Sequence, residues 1–485
     1  MLFNSYIFIF AFLPIALLGY FSLNRIAAHR MAKRWLILCS LYFYGYFNFS
    51  YLWIILASIT VNYILSLYFE KTRQQSTVLR KLIYWGGLTF NIGLLGFYKY
   101  LDFLFEIAGN ILNTDPIYIN LILPLGISFF TFQQTSYLID SYKGKAKQYT
   151  MTDYALFVTF FPQLIAGPIV LHSEIIPQFE NKDNLKFNTD HFSKGLYAFS
   201  AGLAKKVIVA DNFGKIVTFG FSHISTLSSF ESILAILAYT FQIYFDFSGY
   251  CDMASGIAYM FNIELPINFN SPYKAQTIAD FWKRWHITLT RFLTSYIYIP
   301  LGGNRCGTLR TYLNILIVFV VSGIWHGAGY TFIVWGTMHG VAMCLYRMLK
   351  KQIDKLPSFV MWATTFIFIN LTWVYFRAES VESASILIGR IFSGGFTLNF
   401  ELTETLLNII PISIVANIFE FNGSLNYIMI AIVSAFTSIC IRLPNLQDQL
   451  RAFTPTTRNL LSTGFLLVWS ILSLSGVSTF LYFNF

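Results

Sequence analysis

From Thr311 to Tyr346 the sequence contains no Asp, Glu, Lys or Arg, and near the middle of that run stand Trp325, His326 and Gly327. A bilayer-spanning helix needs about 20 mainly apolar residues. The run is bounded by basic loops at both ends, so it crosses an even number of times or dips in and returns. Either way His326 lies deep. A titratable imidazole is expensive to keep in such a place, and its default reading is a functional group facing a protein interior or a wet cavity. Gly323, Gly327 and Gly329 permit close backbone approach and a sharp bend, and a second histidine, His339, precedes Gly340 on the returning arm.

Composition extends this reading to the whole chain. Of its 485 residues 56% are hydrophobic, 19% are aromatic and only 12% are charged, against about 25% charged in a soluble protein. The expectation is an all-α polytopic membrane protein, with residues 1–485 forming a single transmembrane domain. The first apolar stretch, Tyr6 to Leu23, lacks a basic leader and is followed by Arg25, Arg30, Lys33 and Arg34, so it reads as a retained span. Cys39, Cys251, Cys306, Cys344 and Cys440 show no C-x-x-C pairing, which supports neither a disulfide framework nor a thiolate metal site.

Apolar segments fall near residues 5–23, 35–48, 50–69, 82–98, 117–139, 154–171, 196–221, 232–249, 311–325, 328–346, 359–376, 405–419, 424–441 and 459–481. Some are too short or too interrupted to cross alone, leaving about eleven transmembrane helices. Phe161 to Pro168, FPQLIAGP, reads as a re-entrant turn, tolerated only where protein or water covers it. Loops at Arg25–Arg34, Lys71–Lys81, Lys143–Lys147, Lys283–Arg310, Arg347–Lys355 and Arg442–Arg458 are basic and belong to the cytoplasm, whereas Asp102–Asp115 and Glu379–Glu404 are acidic and belong outside. Both termini then lie on the extracytoplasmic side. The net charge of +10 is mainly this orientation signal, not a nucleic-acid surface.

Three further segments carry polar chemistry. Ile278 to Arg305 places Lys283, Arg284, His286 and Arg291 among Trp282, Trp285 and Phe292, which suits a basic amphipathic helix at the cytoplasmic interface. Its cations can simply snorkel to lipid head groups or attract a phosphate-rich donor. Gln242 to Met260 holds Asp246 and Asp252 in apolar surroundings, where a carboxylate pairs with a cation, braces the structure or lines a water path. No His/Asp/Glu spacing resembles a metal site, so none is expected. The ending FLYFNF, Phe480 to Phe485, reads either as an aromatic belt or, through Tyr482, as a phenolic nucleophile able to hold an acyl group.

Taken together, PLGISFFTFQQTSYLIDSYKG (Pro124 to Gly144), QIYFDFSGY, FWKRWHITLTRFL with YIYIPLGGNR, and VSGIWHGAGYTFIVWGTMHG (Val321 to Gly340) resemble membrane-bound O-acyltransferases, most closely the bacterial branch that O-acetylates alginate, peptidoglycan or other exported polysaccharides. The resemblance implies a ring of helices, including re-entrant and interfacial ones, around a thin centre. Cytoplasmic and extracytoplasmic funnels meet there at the family histidine, which falls on His326, and the second family histidine falls on His286. It implies an acetyl group drawn from a cytosolic thioester, acetyl-CoA, with no bound cofactor. The group then passes across the bacterial inner membrane to an extracytoplasmic, SGNH-hydrolase-like transferase serving an exported polysaccharide, with Tyr482 as a relay. Lys283, Arg284, Trp285, Trp325 and Asp246 would line the donor side. Where the family commonly shows Arg-Asp before YIYIPLGG, this chain has Thr294 and Ser295, which puts donor contacts at that point in question.

The expected chemistry has His326 as general base on a hydroxyl, an imidazole being matched to working pH, with His286 orienting the thioester or stabilising its oxyanion. The rival classes are a transporter or polysaccharide export channel with no covalent step, for which inverted repeats would speak, and a scaffold that only recruits an outer transferase.

Overall fold

The computed structural model describes residues 1–395, 435, 444–474 and 479–481. Every regular element among them is helical, as expected where lipid offers no partners to an open backbone. Five stretches are long and apolar enough to cross a membrane: Phe8–Arg25, Ser50–Lys71, Thr308–His326, Tyr330–Ile353 and Ser358–Arg377. The apolar segments at 405–419 and 424–441, like Tyr482, fall almost wholly or wholly outside the described residues. The chain divides into two compact units, Met1–Leu203 with Tyr250–Ile267 and Phe453–Phe485, and Ala204–Gly249 with Asn268–Ala452.

The first unit contains α1 (Leu13–Arg25), α2 (His29–Gly45), α3 (Tyr51–Lys71), α4 (Val78–Lys99), α5 (Leu101–Leu112), α6 (Ile127–Tyr142), α7 (Met151–Thr159), α8 (Phe161–Leu164), α9 (His172–Glu180) and α10 (Thr189–Ala204). Polar side chains tie several of these together. Asn62 and Asn91 exchange two amide hydrogen bonds of 2.8 Å, Gln134 donates to Ser58 Oγ at 2.9 Å, and Tyr154 donates to Gln134 Oε1 at 3.0 Å. Such bonds hold helices together where hydrophobic burial alone does not discriminate protein from lipid.

Two expected spans are shorter than their apolar content suggests. Of 117–139, only the part from Ile127 is helical. Pro116 and Pro124 remove backbone donors, Asn120 and Gly126 take positive φ, and Asp102 instead accepts from the Ile119 and Asn120 amides. Of 154–171, helix persists to Thr159 and resumes for four residues, because the ring of Pro162 clashes with a continuing turn. Residues 160–170 are all buried, so this broken backbone is covered by protein.

The second unit begins with a π-helical turn, Lys205–Ala210, and continues through α11 (Asp211–Ser222), α12 (Ser229–Met260, whose residues from Tyr250 on belong to the first unit), α13 (Ile278–Arg284), α14 (Ile287–Leu293), a second π-turn at Thr294–Tyr298, α15 (Thr308–His326), α16 (Tyr330–Ile353), α17 (Ser358–Arg377) and α18 (Val381–Ser393). Helices α15 and α16 form a hairpin through Gly327 to Gly329 and meet at two glycines. A Cβ at Gly323 would lie 2.3 Å from the Phe332 carbonyl oxygen, and one at Gly336 would lie 2.4 Å from that of Phe319. Only glycine allows that backbone approach. The segment Ile278 to Arg305 departs from expectation: it is not one amphipathic helix but two short helices hinged at His286, whose φ of 45° and ψ of 53° are left-handed.

Candidate active site

His326 ends α15, and extended Gly327 stops the helix there. Its ring is buried within a cage whose centroids lie at 4.8 Å for Trp325, 5.2 Å for Trp335, 5.2 Å for Phe376 and 6.2 Å for His286. The two imidazoles that the sequence singled out, separated by α14 and much of α15, are therefore brought together.

His286 is wholly buried, with Phe247 edge-on at 4.9 Å. Its Nδ1 lies 3.1 Å from Asn268 Oδ1, which also accepts from the Thr288 amide and, at 2.9 Å, from Thr288 Oγ1. A backbone amide can only donate, so that atom of Asn268 is the amide oxygen, and the His286 proton sits on Nδ1 with the lone pair on Nε2. Burial pushes this imidazole down to about 3, so it stays neutral across the physiological range. A neutral ring with its proton already given to Asn268 accepts at Nε2. Orienting a hydroxyl fits that state, whereas donating to an oxyanion does not.

Asn268→Leu is expected to strip His286 and Thr288 of their acceptor. The cost is about 1–3 kcal/mol of stability, together with a loss of transfer because the ring is no longer held. Asn268→Asp, which keeps an acceptor, should retain more transfer than Asn268→Leu in the same rate assay; equal loss in the two would reduce Asn268 to packing.

Trp335, 5.2 Å from the His326 ring, belongs to a cluster of hydrogen-bond donors. Trp282 donates its indole N–H to His339 Nδ1 at 3.3 Å, which leaves the His339 proton on Nε2. The His339 Nε2, Trp335 Nε1 and Trp373 Nε1 atoms are buried and make no hydrogen bond among the described residues. Their rings form one cluster, His339 to Trp335 at 4.9 Å and Trp335 to Trp373 at 5.9 Å. Trp335 and Trp373 were not singled out by sequence reasoning, although Trp335 lies inside the motif Val321 to Gly340 quoted there.

Asp246 is an ion-pair member. Buried Lys206 reaches its Oδ1 at 2.5 Å and Asp211 Oδ1 at 2.9 Å. The pairing reading of a deep carboxylate therefore describes it, and Lys206, inside the apolar stretch 196–221, is the partner the sequence reading did not name. Lys206→Met is expected to cost about 3–5 kcal/mol by stranding buried carboxylate charge. Adding Asp246→Asn should recover part of that loss in thermal unfolding of the purified protein, and a silent Lys206→Met would remove the pair from any structural role.

The remaining donor-side residues divide. Trp285 is buried, 4.9 Å from the Trp373 ring. Arg284 is occupied, its Nε donating to Asp280 at 2.9 Å, and Lys283 is exposed. Thr294 and Ser295 are both exposed, and the Thr294 hydroxyl donates to the Thr290 carbonyl on its own helix. Tyr482 lies outside the described residues.

The sequence matches the model of the MBOAT, membrane-bound O-acyltransferase, family over residues 36–385, a span that includes His286 and His326 and excludes Tyr482. It is 44% identical to a peptidoglycan O-acetyltransferase of Helicobacter pylori, across 100% of this chain and 98% of that one. It is 36% identical to the "Probable alginate O-acetylase AlgI" of Pseudomonas putida, across 83% of this chain and 82% of that one. A teichoic acid D-alanyltransferase of Bacillus subtilis is 27% identical over 49% of this chain and 63% of its own length.

Proposed function

The chain belongs to the membrane-bound O-acyltransferase family and is a multi-pass membrane O-acyltransferase; from that premise we propose that it takes an acetyl group from cytosolic acetyl-CoA and passes it outward for O-acetylation of an exported cell-surface polysaccharide. Residues 1–485 act as one transmembrane domain of about eleven spans in a bacterial inner membrane, with both termini outside. Funnels from the two faces meet at His326. A separate extracytoplasmic, SGNH-hydrolase-like transferase receives the group, with Tyr482 as relay, and delivers it to a polymer of the peptidoglycan or alginate type named for the relatives.

The observation that carries this reading is the buried imidazole pair, 6.2 Å between ring centres, with His286 held in one tautomer by Asn268. His326 takes the proton of the attacking hydroxyl as its oxygen bonds to the acyl carbon. The carbon–sulfur bond then breaks, and the proton passes to the departing thiolate. His286 accepts from the hydroxyl and aims it. The indole N–H groups of Trp335 and Trp373 and the His339 Nε2–H are the donors nearest to hand for the carbonyl oxygen, where charge develops.

Proteoliposomes supplied outside with acetyl-labelled CoA provide the test. Thiol release and label on protein or lumenal acceptor, both dependent on His326, support the reading. Solute flux without thiol release supports a transporter instead, and full polymer acetylation by His326→Ala in cells supports a scaffold.

A further inference from the structure

Within the first unit, α1 and α2 are joined through Ile26 to Ala28 and frame between them an open apolar cavity of about 390 Å³ that nothing described so far uses. That volume lies within the range of small-molecule sites. Ile7, Ala11 and Ile15 line it from one arm, and Trp35, Leu38 and Tyr42 from the other, at helical spacing. Two local features make the slot. In the turn Phe8–Phe12 the Leu13 amide reaches back to the Phe8 carbonyl, a π-helical bond that widens the first arm at Ala11. Further along, the helices touch: a Cβ at Gly19 would lie 2.3 Å from the Trp35 indole nitrogen, which donates to the Ala16 carbonyl at 3.2 Å. Trp35 is thereby fixed, and the wall it forms exists before anything binds.

The lining decides the class of occupant. It is almost wholly carbon, and its nitrogens are taken: the Trp35 N–H by Ala16, and the amino group of Met1, which also borders the cavity, by the Phe43 carbonyl at 3.0 Å. A polar molecule would lose its water partners there without replacement. The helix of a second copy packs its ridges across a face, with about 8–10 Å between axes, and does not enter a slot between two helices already in contact at Gly19. A flexible methylene chain fits the slot and gives up no hydrogen bond.

Charge names the kind of lipid. Along the same helical stripes, Leu18, Ser22 and Arg25 follow Ile15 on the first arm, and Met31 and Arg34 precede Leu38 on the second. Arg34 Nη1 donates to Met31 Sδ at 3.8 Å, which draws its guanidinium onto that stripe. From Arg34 to Tyr42 the helix rises about 12 Å, close to half of a hydrocarbon core of about 30 Å. Lys33 is answered by Asp153 at 2.6 Å, but Arg25, Arg30 and Arg34 make no ion pair with any described residue, and the chain has no Asp or Glu before Glu70. Such unanswered guanidinium groups beside an apolar slot suit a phosphate, and a head group of net negative charge above a zwitterion. We propose that the slot holds one acyl chain of an anionic phospholipid of the cytoplasmic leaflet, whose phosphate rests on Arg25 and Arg34. From the proposed function this takes only the cytoplasmic placement of the Arg25–Arg34 loop, and no step of acyl transfer.

The full chain is placed in lipid nanodiscs doped, at equal content, with phosphatidylglycerol or phosphatidylcholine carrying a photoreactive diazirine in one acyl chain, and the labelled residues are read by peptide mass spectrometry after irradiation. Phosphatidylglycerol should label Ile7 to Ile15 and Trp35 to Tyr42 at least about fivefold more than phosphatidylcholine, the factor expected for one surface arginine at an anionic head group. Trp53, on the exposed face of α3, is the reference and should show no such preference. The Arg25→Gln, Arg34→Gln double variant should label alike with the two lipids, and Ala11→Phe, which fills the slot, should bring labelling there down to the level at Trp53. The site is overturned if the two lipids label the parent's slot equally, if the double variant keeps the preference, or if Ala11→Phe labels unchanged. Should either variant fail to fold, the comparison of lipids on the parent decides alone. No thioester enters this readout, so acetyl transfer that survives His326→Ala would defeat the proposed chemistry and leave the lipid result intact.

Discussion

Replacing His326 by alanine is expected to slow acetyl transfer about a hundred- to ten-thousand-fold, the range that a positioned general base contributes. The size follows from the cage. With Trp325, Trp335 and Phe376 around it, the other imidazole of the cage is His286, whose Nε2 is a poor substitute base because burial pushes that ring down to about 3. Insertion and helix content should survive, since His326 is the last residue of α15 and extended Gly327 already ends the helix there. Thiol release from the donor and acetyl content of the polymer are the measurements. A variant that keeps parental rates would place the proton transfer elsewhere and return His326 to packing.

Gly336→Leu is expected to damage both stability and activity. A Cβ alone at that position falls 2.4 Å from the Phe319 carbonyl and 3.2 Å from the Gly323 Cα. Those are backbone atoms of a continuous helix and cannot swing aside. Overpacking of this kind typically costs about 1–3 kcal/mol, occasionally more, and the only relief is to part α15 from α16. Parting them moves Trp335 away from His326, so the cage opens as the hairpin loosens. Thermal inactivation in detergent should come earlier and transfer should be lost, with Gly336→Ala intermediate. Parental behaviour of Gly336→Leu would mean that the two helices do not meet at these glycines.

The hairpin was legible because three local signals agree: a charge-free run, glycines near its bend and a histidine at its centre. The span at 117–139 was misjudged because apolar content does not register what Pro116, Pro124 and two positive-φ positions do to a helix. The turn at His286 was illegible for a different reason. Its partner, Asn268, stands 18 residues upstream in a stretch with no regular pattern, and an amphipathic period through Trp282 to Phe292 reads equally well as one helix. Asp246 and Lys206, 40 residues apart, could each be suspected as a costly charge in an apolar segment, but only the fold shows that they answer one another. The donors at Trp335 and Trp373 look like ordinary aromatic packing until their N–H groups are counted.

Because the hairpin is already at backbone contact at Gly323 and Gly336, its two arms cannot move closer. Room beside His326 is then governed by the rings at positions 335 and 376, which pack on it at 5.2 Å each, and not by bringing the two arms together.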